Sequence, residues 1–314
     1  MKFKTLSLVT VLASSLTSSV LFANDITIDA PGQFPEGVEY NTKTGEFYLG
    51  SLSAKSIIKF DKNSKAIALT EKTPLQVAGI HINYDTNELY AAGLNRKEAF
   101  DKDPNTHGNA NLFIYDLQSG KLKANIDLTT VNPNQAAYFA NDITNDKNGN
   151  IYVSDFKAGA VYKIDKNNTP TLFYKGDKLG LANGLEVVNN NTLLVSDTVP
   201  KDSKWQLVKI PLDNPKAASR VVMDDSIYRG FDGMLVNSDG TVVGVTHNKE
   251  KTASILLKLE SKDNWNSAKV VAKKASKTRL TTVARVEDGN YFALQQNFKS
   301  PKKADWVLEN IKLP

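Results

Sequence analysis

The chain has 314 residues, 41% hydrophobic, 23% charged and 9% aromatic, enough apolar side chain for a substantial core and too much for a disordered chain. Its formal charge of +5 comes with scattered lysines, the nearest approaches to a run being Lys273-Lys274 and Lys302-Lys303, so the basic stripe that nucleic acid requires is excluded. There is no cysteine, which excludes a disulfide framework and a thiolate metal site.

The N-terminus reads as a secretory leader. Lys2 and Lys4 supply the basic start, Leu6 to Leu16 an apolar stretch, and Leu21-Phe22-Ala23 a small residue at its end. The stretch is shorter and richer in serine than a membrane span, and nothing later approaches the ~18 apolar residues a span needs. The expectation is a leader over residues 1–23, export to the periplasm or the exterior, and a single domain over 24–314. Losing Lys2 and Lys4 takes the 39 basic residues to 37 against 34 acidic ones, a mature charge of +3.

From Ile26-Thr27-Ile28, which reads as an outer strand, the sequence repeats one phrase six times: a short apolar run, a turn, and two further runs. Blade one is Glu36 to Tyr40, the turn Thr44-Gly45, Glu46 to Leu49, then Ser56 to Asp61. Blade two is Gly79 to Ile82, Glu88 to Ala91, then Leu112 to Asp116. Blade three is Asp142 to Thr144, the Asn148-Gly149 turn, Ile151 to Val153, then Ala160 to Asp165. An Asn-Gly pair between alternating runs is a strong hairpin signal. Blades four, five and six begin at Leu185, Met234 and Thr282, and Trp306-Val307-Leu308 is a candidate closing strand. Weaker runs such as Ala66 to Leu69 and Thr171 to Tyr174 supply fourth strands. Six such phrases predict an all-β fold, a six-bladed β-propeller; a pair of sandwiches would seldom carry a whole three-strand phrase six times. The irregular part is the breaker-rich stretch Asn95 to Asn111, either a surface loop or a lid.

The slot at the head of each phrase is the informative position. It holds Glu36, Ala78, Asn141, Asn183, Asp232 and Thr281 in turn. If the starts converge on one axis, two carboxylates, two amides and a hydroxyl crowd together there. Carboxylates in proximity repel and unpaired buried amides destabilise, and a divalent cation resolves both problems. With no His or Cys in a slot, calcium, magnesium or manganese suits the set better than structural zinc. The plainer reading is a polar plug hydrogen-bonded to water and backbone. His81, His107 and His247 read as structural or surface residues, and Asp155 and Asp197, each ending a second strand in a Ser-Asp pair, as hydrogen-bonded blade corners.

The order Pro35-Glu36-Gly37, Asn141-Asp142, Asn183-Gly184-Leu185 and Asp232-Gly233-Met234 resembles the gluconolactonase, regucalcin and senescence-marker-protein family over essentially the whole mature chain. The resemblance implies a six-bladed propeller with one divalent cation, calcium foremost and magnesium, manganese or zinc as alternatives. It implies Glu36, Asn183 and Asp232 as metal ligands, Asn141 on the metal's water or on substrate, and Asp232 as general base. The implied reaction is attack of metal-activated water on the carbonyl of a small lactone or ester. No serine sits in a Gly-x-Ser-x-Gly elbow to suggest another route. One departure stands out: two residues before Asn141, where sugar-lactonase members often carry arginine, this chain has Phe139. Phe139, beside Tyr138, is therefore a candidate substrate contact in a more apolar pocket. The competing expectation is a non-catalytic exported propeller that binds a small ligand or a protein and keeps its ion as a structural pin.

Overall fold

The runs are strands because β-branched and aromatic residues alternate or cluster between Gly, Asn and Asp turns, and the computed structural model arranges them as six sheets in a ring. It describes residues 24–30, 32–53, 56–61, 65–198, 205–223, 230–248, 250, 252–296 and 306–314; the expected leader lies outside them. Blade one holds Pro35–Asn41, Glu46–Ser51, Ile58–Phe60 and Ile67–Ala68, paired in that order. Blade two holds Gln76–Asn83, Glu88–Leu94, Asn111–Asp116 and Leu122–Asp127. Blade three holds Ala140–Asn145, Ile151–Asp155, Ala160–Ile164 and Pro170–Tyr174, and blade four Ala182–Val188, Thr192–Thr198, Trp205–Pro211 and Ser219–Arg220. Blade five runs Met234–Val236, Val242–His247, Ser254–Glu260 and Ser267–Ala275, with Val222–Met223 added parallel to its outer edge.

Blade six mixes the two ends of the chain. Leu280–Glu287, Asn290–Gln295 and Trp306–Lys312 are followed outward by Ile26–Ile28, antiparallel to Trp306–Leu308. Trp306–Lys312 is thus the third strand, and the N-terminal strand closes the ring. An aromatic cluster seals that seam: Phe47 stacks on Phe60 at 5.4 Å and meets Phe292 edge-on at 5.2 Å, while Phe34 stands edge-on to Trp306 at 5.5 Å. Such contacts add about 0.5–1.5 kcal/mol each beyond area burial.

Second strands such as Ile151–Asp155 and Val242–His247 are buried along their whole length, because each is covered on both faces by neighbouring blades. Inner strands end in residues that build the next turn: Asn41 and Asn83 each accept a backbone N–H two residues on, and Asp146 does the same for Asn148 and also holds Asn150. These side chains replace the backbone turn bond, which is why Asn and Asp recur there. In the Asn95–Asn111 stretch a single helical turn, Arg96–Ala99, leads into a loop pinned at its far end, where Tyr138 N–H donates to His107 O at 2.6 Å.

Candidate functional site

The inner strands share a defect at one level. Their pairing with the second strand breaks register between Pro35 and Val38, Val77 and Ile80, Ala140 and Ile143, Ala182 and Leu185, and Leu280 and Val283. A bulge inserts residues the partner strand does not oppose and re-aims their side chains. The bulged residues are the slot residues and their successors. Successors are mostly glycine because the blades touch there: a Cβ on Gly79 would lie 2.4 Å from Asn141 O, and one on Gly233 2.3 Å from Thr282 Oγ1.

The slots converge as expected. Asn141 Nδ2 donates to Asn183 Oδ1 at 3.0 Å, and Asn183 Nδ2 donates to Asp232 Oδ1 at 3.1 Å. Between the neighbouring blades six and one, Thr281 Oγ1 donates to Glu36 Oε1 at 3.0 Å. Glu36, Asn141, Asn183 and Asp232 all line one cavity of about 260 Å³. Glu36 Oε2 is enclosed and has no hydrogen-bond partner among the described residues, and the same holds for Oε1 of Gln296 in the same cavity wall. Burial, reinforced by the charge of Asp232, pushes the Glu36 carboxyl up to about 8, against the pull of Thr281, Arg96 and Arg279.

Among the described residues no three His, Cys, Asp or Glu side chains are grouped to hold a metal. The axial set differs in kind, with two carboxylates joined by two amides. It fits a hard divalent cation: every donor is oxygen, and an enclosed carboxylate oxygen without a partner disfavours the ligand-free arrangement. Ala78 supplies a methyl, as expected, and leaves that side of the ring without a donor.

The rest of the wall departs from the expectations. Phe139 lines the cavity, edge-on to Phe100 at 5.8 Å and to Phe156 at 6.1 Å, so the apolar wall is a triplet rather than one residue. Lys157 Nζ sits 3.9 Å from the centre of the Phe100 ring. Arg96 and Arg279 bring guanidinium groups to the cavity from other blades, although the arginine position before Asn141 is Phe139. The Asn95–Asn111 stretch therefore supplies wall through Arg96 and Phe100. His247, read from sequence as structural or surface, lines the cavity with Nε2 3.3 Å from Asp232 Oδ2. The blade corners behave as expected: Asp155 Oδ1 accepts from the N–H groups of Phe139, Lys157 and Ala158, and Asp197 Oδ1 from those of Gly180 and Leu181.

A signal for the missed residues exists in the sequence. In an antiparallel pair the end of the second strand lies beside the start of the first. Leu52, Arg96, Phe156, His247 and Gln296 each stand at or within two residues of the end of a second strand, so they face the slots.

A six-bladed propeller with oxygen donors gathered at the head of its channel defines the class. The model of the SMP-30/gluconolactonase/LRE-like region matches residues 34–265, and the chain belongs to that family. A search of curated proteins found no sequence match. Among solved structures the chain is similar to the allergen Mala s 1 of Malassezia sympodialis at 18% identity, covering 94% of this chain and 97% of that one with a TM-score of 0.74. It is similar to a calcium-binding regucalcin of Agrobacterium tumefaciens at 15% identity, covering 93% and 95% with a TM-score of 0.62. It is also similar to a gluconolactonase of Xanthomonas campestris at 12% identity, covering 92% and 89% with a TM-score of 0.61. At such identities these likenesses speak for the fold.

Proposed function

We propose that this protein is a divalent-metal-dependent hydrolase of small lactones or esters, with Glu36, Asn183, Asp232 and Asn141 holding the ion. The observation that carries this is the enclosed, unpartnered Oε2 of Glu36, in one cavity with Asp232 and the two amides. Family membership and the gluconolactonase and regucalcin likenesses support it. When bound, a divalent cation would polarise the substrate carbonyl and make water a stronger acid. Calcium suits the all-oxygen set best, with magnesium, manganese and zinc as alternatives.

The chain's own residues divide the remaining work. Asp232 accepts a proton from the water that attacks the carbonyl, and the opened ring or freed alcohol takes a proton as it leaves. Asn141 holds the substrate oxygen or the water against the floor. Phe100, Phe139 and Phe156 receive an apolar substituent and keep bulk water from the reacting carbon, which favours aryl or alkyl lactones over gluconolactone. The chain is exported through the leader over residues 1–23, so the enzyme works in the periplasm or outside the cell.

The test is a panel of aliphatic, aryl and sugar lactones assayed after chelation, with calcium, magnesium, manganese or zinc added back. Metal-restored turnover of an aryl or alkyl lactone supports the proposal. No turnover on any substrate, with ligand binding intact in Asp232→Asn, would favour a non-catalytic binding propeller whose ion is a pin. Metal content equal in the wild type and Glu36→Gln would remove Glu36 from the ligand set.

A further inference from the structure

We propose that His247 is the positioning residue for Asp232, and that a buried serine, Ser254, sets which of its ring nitrogens carries the proton. His247 ends the second strand of blade five, and Ser254 begins the third, directly opposite it in the register. His247 Nδ1 lies 2.9 Å from Ser254 Oγ, and His247 Nε2 lies 3.3 Å from Asp232 Oδ2. Ser254 is fully buried, and its Oγ accepts the backbone N–H of Leu280 at 2.8 Å.

That last bond gives the relay its direction. Leu280 N–H can only donate, so it uses a lone pair of Ser254 Oγ, and the hydroxyl hydrogen must find another acceptor. His247 Nδ1 is beside it. If Nδ1 carried the proton instead, the serine hydrogen would be stranded in a dry core, and the bare Nε2 lone pair would face a carboxylate oxygen. Both are unfavourable. The arrangement that satisfies every group runs from Leu280 N–H to Ser254 Oγ, from Ser254 O–H to His247 Nδ1, and from His247 Nε2–H to Asp232 Oδ2. Asn183 Nδ2 holds the other oxygen of Asp232. The carboxylate plane is thereby fixed from two sides, by one slot neighbour and by one residue from its own blade. Each oxygen keeps a lone pair for an ion or a proton from water. The backbone of blade six thus sets the orientation of a side chain in blade five.

The relay itself needs no ligand, whereas its kinetic consequence rests on the hydrolase proposal. The primary test is nitrogen-15 NMR of the wild-type protein labelled at histidine. The expected spectrum shows a protonated Nε2 and a pyridine-like Nδ1 for His247, and loss of that preference in Ser254→Ala. A protonated Nδ1 in the wild type overturns the relay whatever the activity. Calcium titration by calorimetry follows: His247→Phe, which keeps the ring and loses the donor, should weaken calcium binding about 10-fold, in the range typical of residues that orient ligands, while His247→Gln, which keeps an N–H, recovers most of it. Equal calcium affinity in His247→Phe and the wild type overturns the positioning role. On any lactone that is turned over, His247→Phe should lower kcat about 10- to 100-fold with KM little changed, and His247→Gln should restore it. A panel without turnover counts against the hydrolase proposal alone, because the tautomer and the calcium affinity still decide this one.

Discussion

The channel has two ends, both rich in buried polar groups, and they are built on opposite plans. At the far end of the inner strands a cavity of about 530 Å³ is lined by Glu39, His81, Asp142, Asn145 and Arg285. There His81 and Glu39 pair, while burial pushes the carboxyls of Asp142 and Glu186 up to about 7 and about 8. His81 Nδ1 meets Glu39 Oε1 at 3.2 Å and Nε2 meets Asn145 Oδ1 at 2.9 Å. Thr144 donates to Glu186 at 3.0 Å, and Asp142 accepts the backbone N–H groups of Ile143 and Leu185. At the head of the channel Glu36 has one hydroxyl for two oxygens, and Oε2 is left over. Among the described residues the lining of the far cavity leaves no buried side-chain oxygen without a partner, whereas the lining of the head cavity leaves two, Oε2 of Glu36 and Oε1 of Gln296.

Substitution at the two ends should separate them. Asp232→Asn is expected to lower lactone turnover by about 10²–10⁴-fold, the contribution of a general base, while Glu186→Gln at the far end leaves kcat and metal content alone. Comparable losses in both variants would erase the distinction. Next in size, Gly79→Ala should destabilise by about 1–3 kcal/mol, as overpacking does, because the new Cβ meets Asn141 O. Gly149→Ala, at a turn with open space but φ of +80°, should be milder. Urea unfolding of the two variants measures the difference.

A third test is pH. Burial opposes the charge on His81, but the hydrogen bond and charge of Glu39 outweigh it, with help from Glu186 and Asn145, and raise the ring to about 9 from 6.5. The folded chain therefore holds that proton longer than the unfolded chain. Its stabilisation is complete below 6.5 and is lost as pH rises through 9. Melting temperatures should fall across that window in the wild type and fall less in His81→Gln; parallel slopes would refute the pairing. The smallest effect is expected from Phe100→Ala. Phe100 is 55% exposed, so losing its ring should raise KM for an aryl lactone by about 5-fold, near 1 kcal/mol, without moving kcat.

Much of this was legible along the chain. The sixfold phrase, the slot residues Glu36, Asn141, Asn183 and Asp232, and the corner roles of Asp155 and Asp197 follow from local patterns: alternation, Asn-Gly and Asp-Gly turns, a polar residue at the head of an apolar run. Those features are set by contacts within one blade, over a few tens of residues. The wall was not legible in the same way. Arg96 and Phe100 come from blade two, His247 from blade five and Arg279 from the start of blade six, and they share a cavity only because the ring closes. Arg96 carries one local mark, its place two residues past the end of a second strand, and that mark points to the cavity only once the blades are known to meet.

By itself, then, the sequence determined the number of blades and the oxygen donors at their heads, because hydrophobic period and turn chemistry act between near neighbours. The tertiary structure alone decided that Ile26–Ile28 closes blade six, that Ser254 stands behind His247, and that Glu36 keeps an oxygen without a partner. Each of these depends on which blades meet across the ring, and the packing of blade against blade sets that.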